Sequence, residues 1–213
     1  MTLRLVRKKE RVSLTWCGWL VLLVGLSLII GMISYNIHDF LAINKPLHAP
    51  IIVVEGYIPD AVLKDLAEVH KNEIIVCAGL PFEKNNRCSQ YDNFADYNAA
   101  VLLAAGVDSL YLISAPSHPT LTDRTYTTAL AVQQRLNDAG YHSGNLDLVC
   151  YGTHARRSGS LYRKAFDPEW EIGAITYSSS LYDHRKWWRN SEGVRAVLYE
   201  VFAYLYCLLF FYP

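Results

Sequence analysis

The chain has 213 residues, with twenty Lys and Arg set against twenty Asp and Glu. Five of the basic residues crowd into Arg4, Arg7, Lys8, Lys9 and Arg11, so the remainder is mildly acidic, which argues against non-specific nucleic-acid binding. The five cysteines (Cys17, Cys77, Cys88, Cys150, Cys207) lack C-x-x-C spacing and the seven histidines lack H-x-H or H-x-x-x-H pairing, so no redox or zinc motif is written in the sequence.

Residues 1–11 read as a basic cytoplasmic tail and 12–37 as a membrane anchor. No charged side chain occurs between Val12 and Ile37. A bilayer core needs about 20 consecutive apolar residues for a helical span, and Trp16 to Ile33 supplies most of them. Trp16 and Trp19 at one end and Tyr35 at the other occupy the positions of interfacial aromatics. The basic cluster orients this helix with its N-terminus in the cytoplasm. The expectation is a single-pass protein of the inner (plasma) membrane whose domain is extracytoplasmic, that is, periplasmic. A cleaved signal peptide is the competing reading. Such signals carry an apolar region of about 7–15 residues and a small-x-small site, whereas this run is longer and Ser34–His38 offers no such site. Ser27 and Gly31 form a small-xxx-small pair suited to a partner helix of another membrane protein. Residues 38–50 are expected to form a short stalk.

From residue 51 to 213, short apolar runs alternate with helical patterns, which predicts βα units building a parallel sheet. The expected strands are Ile51–Glu55, Glu73–Cys77, Ser109–Ser114, Leu146–Tyr151 and Glu171–Thr176; their near-continuous apolar character suits strands covered on both faces. Helices are expected at Asp60–His70, Phe94–Ala105, Arg124–Ala139 and Ala155–Phe166. Gly106 and Gly140 follow the second and third where a C-terminal cap favours a left-handed residue. Cys77 and Cys150 read as buried free thiols at strand ends. The fold class is therefore α/β: a Rossmann-like, doubly wound, mainly parallel sheet of five strands behind one transmembrane helix. The segment Ala196–Tyr212 is apolar nearly all round, broken by Glu200. An acid is costly in lipid, which favours packing on the domain, with Leu208–Tyr212 touching the membrane, over a second span.

Folds of this type bind ligands beyond the carboxyl ends of the strands, where strand order reverses. That rule selects Glu55 and Gly56 after the first strand, Gly79 after the second, Asp123 and Arg124 after the third, and Thr153, His154, Arg156 and Arg157 after the fourth. The last group opens a helix, whose free amides and dipole favour an anion; arginine adds paired donors suited to phosphate. His154 can move a proton near neutral pH, and Glu55 at a strand end is the second candidate catalytic group. Structural readings stand beside these. Arg157 can pair with an acid such as Glu55 or Asp123, and Asp123 can be a plain helix cap. Ser117 and His118 share the loop system but show no oriented base for a hydrolytic triad, and Asp183, His184 and Arg185 form either a closing or a solvated loop. No G-x-G-x-x-G, G-x-x-x-x-G-K-[ST] or G-x-S-x-G occurs, which disfavours a standard dinucleotide site, a P-loop and a hydrolase elbow.

Five segments taken together resemble the ElyC/SanA/YdcF family of Rossmann-like proteins. They are Ile52-Val53-Val54-Glu55-Gly56, Ala78-Gly79, Leu102–Val107, Asp123–Tyr126, and Thr153-His154-Ala155-Arg156-Arg157-Ser158, which is similar to an H-x-x-R-[AS] helix start. Trp187-Trp188-Arg189-Asn190-Ser191-Glu192-Gly193 resembles a W-W-R-x-S-E-G subgroup. The resemblance implies a single N-terminal anchor, an outward domain, and a role in envelope integrity and lipid-linked glycan metabolism. The expected function is binding or processing of a phosphorylated, lipid-linked envelope precursor. The alternatives are a non-catalytic assembly subunit held by its anchor or C-terminal helix, and a nucleotide or S-adenosylmethionine binder. No cofactor or metal is specified by these residues.

Overall fold

The structure, a computed structural model, describes residues 12–82 and 90–213. The basic cluster before Val12, and Cys88, lie outside the described residues. The first helix, α1 (Trp16–Leu41), has 26 residues and is long and apolar enough to cross a membrane. At ~1.5 Å per residue it exceeds a hydrocarbon core of about 30 Å.

The chain divides into two compact units, with the boundary between Ile37 and His38. In the second unit the sheet is built from β1 (Ile51–Val54), β2 (Ile74–Gly79), β3 (Leu112–Pro116), β4 (Gly144–Tyr151) and β5 (Trp170–Tyr177). All neighbours pair in parallel in the order β3-β2-β1-β4-β5. The order reverses between β1 and β4, which is the switch point of a doubly wound fold.

Strand alternation divides the core into two layers. Ile52 and Val54 join Leu63, Leu66, Ile75 and Leu102 beneath α2 (Asp60–Val69) and α3 (Phe94–Ala104). Ile51 and Val53 face Val76, Leu146, Leu148 and Leu136 beneath α4 (Arg124–Asp138) and α5 (Ala155–Ala165). Each fully buried Leu or Ile contributes about 1.5–3 kcal/mol. The two-sided burial explains why β1 reads as an uninterrupted apolar run. Gly106 and Gly140 take positive φ (96° and 88°) and close the helices before them as expected.

Two elements differ from the sequence reading. The third strand begins at Leu112 rather than Ser109, because the Asp108 carboxylate accepts from Leu110 N at 2.9 Å and holds Ser109–Tyr111 in a short 3-10 turn. Residues 38–50, expected as a stalk, belong to the domain unit. Lys45 and Ala174 exchange both main-chain hydrogen bonds, and the Thr176 hydroxyl donates to Ile43 O at 2.6 Å. Leu47 N and Ala49 N donate to the two oxygens of Asp147 at 2.8 and 3.0 Å. Asp147 is fully buried in the middle of β4, so those donors satisfy a carboxylate that would otherwise be costly. Gly173, its register partner on β5, provides the clearance: a Cβ there would overlap Asp147 Oδ1 and lie 2.9 Å from Leu47 N.

The last helix, α6 (Ser191–Leu209), starts with Asn190 accepting from Glu192 N at 2.8 Å and packs on α5. Lys164 of α5 donates to the Cys207 and Phe211 carbonyls at its far end (3.3 and 2.8 Å), satisfying acceptors that a helix terminus leaves open. Among the described residues the membrane-length criterion is met by α1 and not by α6.

Candidate functional site

A cavity of about 580 Å³ opens beyond the carboxyl ends of β1, β2 and β4. Seven of the residues expected there line it: Glu55, Gly56, Gly79, Asp123, Arg124, His154 and Arg157. The two glycines work by backbone closeness. A Cβ at Gly79 would lie 2.6 Å from Phe94 Cβ and 2.7 Å from Ala95 N, and one at Gly56 3.2 Å from Phe94 Cβ, so side chains there would push α3 away from the sheet. Asp123 sits in the left-handed region (φ 51°) at the start of α4 and makes no side-chain cap hydrogen bond, so the plain-cap reading does not describe it. Asp123 and Arg124 both line the cavity.

At the floor, Gly152 (φ 65°) turns the chain out of β4 into the short turn that carries His154. His154 and Arg157 are three residues apart and therefore share one face of the helical start. Both are clasped by Glu200 of α6. Arg157 Nε and Nη2 donate to its two oxygens at 2.9 and 3.0 Å, and His154 Nδ1 lies 2.9 Å from Oε1. Arg157 Nη2 is also 2.8 Å from His154 Nδ1. One ring nitrogen cannot donate to Glu200 and accept from Arg157 at once. The carboxylate only accepts, so the proton is assigned to Nδ1. That leaves Nε2 toward Glu55, 3.8 Å from Oε1: a bare acceptor when the ring is neutral, an ion-pair partner when it is protonated. Asn98 Nδ2 donates to Glu55 O at 3.0 Å and fixes the strand end beneath.

Burial acts to raise the Glu200 carboxyl, but hydrogen bonds from His154 and Arg157 and their charges outweigh it and hold the group at about 2. Burial acts to lower Arg157, and Glu200 more than reverses that, holding the guanidinium above its ordinary value. The Cys150 thiol beneath is pushed well up by burial and then by the Glu55 charge, so it is an inert thiol.

Two expected site residues lie elsewhere. Arg156 turns away: its guanidinium sits 3.8 Å from the Phe40 ring centroid and Nε donates to Phe40 O, tying α5 to the start of the domain unit. Successive helical residues point about 100° apart, so only one of the paired arginines can face the cavity. Thr153 donates to Ala196 O at 3.4 Å and lines a smaller neighbouring cavity. Ser117 is buried with its hydroxyl on Gly79 O and Thr128, and among the described residues no hydrogen bond joins it to a histidine or acid as a triad nucleophile would need.

The outer wall was not expected. Tyr199, Ala203, Tyr206 and Cys207 of α6, with Leu161 and Phe211, make one side of the cavity apolar and aromatic. The signal available in sequence was Glu200 itself, the one acid in the apolar stretch Ala196–Tyr212, which has to find a partner. Among the described residues no group of three or more His, Cys, Asp or Glu side chains is placed to hold a metal ion. Comparison of the chain with protein-family models, with curated proteins and with solved structures finds no match.

Proposed function

We propose that this protein is anchored by α1 in the inner membrane with its domain outside the cytoplasm, where it binds or processes a phosphate-headed, lipid-linked precursor of the cell envelope. One observation carries the reading: a single cavity is lined by His154 and Arg157 at the start of α5, by Arg124 at the start of α4 and by an apolar wall from α6. The floor suits an anionic head group, with helix-start amides and arginine donors, and the wall suits a hydrocarbon tail. Arg157 is already neutralised by Glu200, so Arg124 is the cation with charge to give a phosphate. His154 Nε2 with Glu55 provides a proton donor and acceptor pair beside that head group. The resemblance to the ElyC/SanA/YdcF family supports the envelope setting.

Full-length protein in lipid nanodiscs, titrated with farnesyl phosphate, tests the reading. A charge-assisted hydrogen bond is worth about 1.5–3 kcal/mol, so Arg124→Ala should weaken binding by roughly tenfold or more without lowering the melting temperature. Absence of farnesyl phosphate binding by the unaltered protein overturns the proposal. Reporters active only outside the cytoplasm, fused after Gly140 and after Pro213, should both be active. Inactivity of both overturns the orientation.

An assembly subunit is the second reading. Leu198, Phe202, Leu205 and Leu209 form an exposed stripe at helical spacing on α6, which suits a partner helix. Protein that binds no farnesyl phosphate but co-purifies stoichiometrically with another membrane protein would favour it.

A further inference from the structure

Helix α6 turns one side to the domain and leaves the other uncovered. Val197, Glu200 and Cys207 are buried, whereas Leu198, Phe202, Leu205 and Leu209 point outward along one line of the helix. Tyr199 and Tyr206 run along one flank of that line, about two turns apart. Phe202 is 69% exposed and Tyr199 60%, so no described residue shields them. From Ala196 to Pro213 the only charged side chain is Glu200, which is held inward by His154 and Arg157. Charges return at the helix start, where Arg195 and Glu192 pair with each other. The uncovered face thus begins well before the Leu208–Tyr212 segment singled out in the sequence, and Phe211 within that segment is buried against Tyr126. A contiguous apolar face of this kind marks an interaction site.

Chain connectivity brings a bilayer within reach of it. Tyr35 is the interfacial aromatic at the end of the apolar run, and Phe40 follows five residues later. Five residues span at most about 18 Å. Phe40 packs edge-on against Tyr204 of α6, with ring centroids 5.9 Å apart. Whatever the angle of α1, the middle of α6 is therefore tethered close to the head groups. The side chains also suit lipid better than a partner helix. A helix seam is a narrow stripe that locks into matching holes or small residues. Here the face widens from leucines and Phe202 to two tyrosines, whose rings and hydroxyls suit the head-group layer. A helix lying in the interface needs a polar environment on its other side, and the domain supplies it.

Tyr199 and Tyr206 also line the main cavity. We infer that the exposed face of α6 rests in the lipid leaflet on the domain's side of the membrane, with the edge of the main cavity at head-group level, a contact that rests on the anchoring by α1 proposed above. A lipid whose phosphate enters the cavity can then keep its tail in the leaflet and cross no water on the way.

Photocrosslinking of full-length protein tests this contact. Single residues are replaced by p-benzoylphenylalanine, which inserts into nearby C–H bonds on irradiation. The protein is irradiated in the membranes of the expressing cells, and again in vesicles of phosphatidylethanolamine and phosphatidylglycerol. Adducts are then identified by mass spectrometry. Lipid adducts should form at Phe202 and Tyr206 with yields comparable to Leu28 of α1, and severalfold above the exposed Val69 of α2, across the sheet from α5 and α6. If the Phe202 variant melts below the parent, the same measurement at Leu205 decides. Lipid adducts at Leu28 with none on α6 overturn the docking and leave the anchor standing. Equal yields at Phe202 and Val69 do the same, since tethering alone would produce them. Cross-links from Phe202 to a second copy or to another membrane protein, in place of lipid, overturn the docking in favour of the assembly reading. Absence of lipid adducts even at Leu28 overturns the anchor and the docking with it.

Discussion

Replacing Glu200 with glutamine removes one charge from the clasp that joins α6 to α5 and keeps the side-chain shape. Arg157, with a side chain only 15% exposed, then loses the carboxylate that holds both of its bound nitrogens. The carboxyl is held at about 2 against an ordinary 4.5. At about 1.4 kcal/mol per tenfold change in proton affinity, this amounts to roughly 3 kcal/mol. Removing one partner of a buried ion pair costs about 3–5 kcal/mol, a similar size reached independently. In a domain of this length each kcal/mol moves the melting temperature by about 2–4 °C, so Glu200→Gln should melt roughly 6–12 °C lower at pH 7. The pH dependence has a definite sign. A carboxylate whose folded value is depressed stabilises fully above its unfolded value and loses that contribution as pH falls through the folded one. The gap between the two proteins should therefore be full above about pH 5 and close progressively between 4.5 and about 2. Thermal unfolding of detergent-solubilised full-length protein, followed by circular dichroism across that range, reads both quantities. A variant that melts within about 2 °C of the parent, against the shift expected above, or a gap that stays constant down to pH 2, refutes the clasp.

Gly173→Ala should destabilise the domain by more than about 3 kcal/mol, because the added methyl overlaps Asp147 Oδ1 and crowds Leu47; limited proteolysis should cut first within residues 42–50, and cleavage elsewhere first would contradict the docking described. Cys77, pushed up to about 12 by burial and then by Asp96, and Cys150 should resist iodoacetamide at pH 8 in the folded protein and react in denaturant; rapid labelling of either in the native state would show that the strand ends are not packed. Lys164→Met removes the donor to Cys207 O and Phe211 O, so the amides of Phe210 and Phe211, which bond to Tyr206 O, should exchange roughly tenfold faster for a loss of about 1.4 kcal/mol. Unchanged exchange would mean the C-terminal turn is held by packing alone.

The elements that sequence made legible are those specified by local rules. Apolar runs covered on both faces gave the five strands, helical spacing gave the helices between them, and the glycines after α3 and α4 marked where those helices stop. The switch-point rule then placed seven of nine candidate residues around one cavity with no motif to guide it. Elements set by tertiary partners were harder to read. Arg156 and Arg157 look equivalent in the chain, and only the azimuth of α5 separates the one bound to Phe40 from the one bound to Glu200.

Asp147 and Glu200 are buried acids set in largely apolar segments, and both break the local pattern because each meets a partner distant in sequence. Their partners differ in kind. Asp147 is fully buried and both of its oxygens are taken by main-chain donors from residues 47 and 49, so its acceptors are satisfied by the fold itself and it belongs to the scaffold. Glu200 is bound only by side chains, and one of them is a histidine whose second nitrogen lies 3.8 Å from Glu55 Oε1. A scaffold ion pair needs no titratable partner and no cavity on either side. Glu200 has both, since it belongs to the wall shared by the two cavities. The same buried-acid signature that fixes the chain against β4 in one case therefore clasps a histidine and an arginine at a cavity wall in the other, and the partners each acid meets are what separate them.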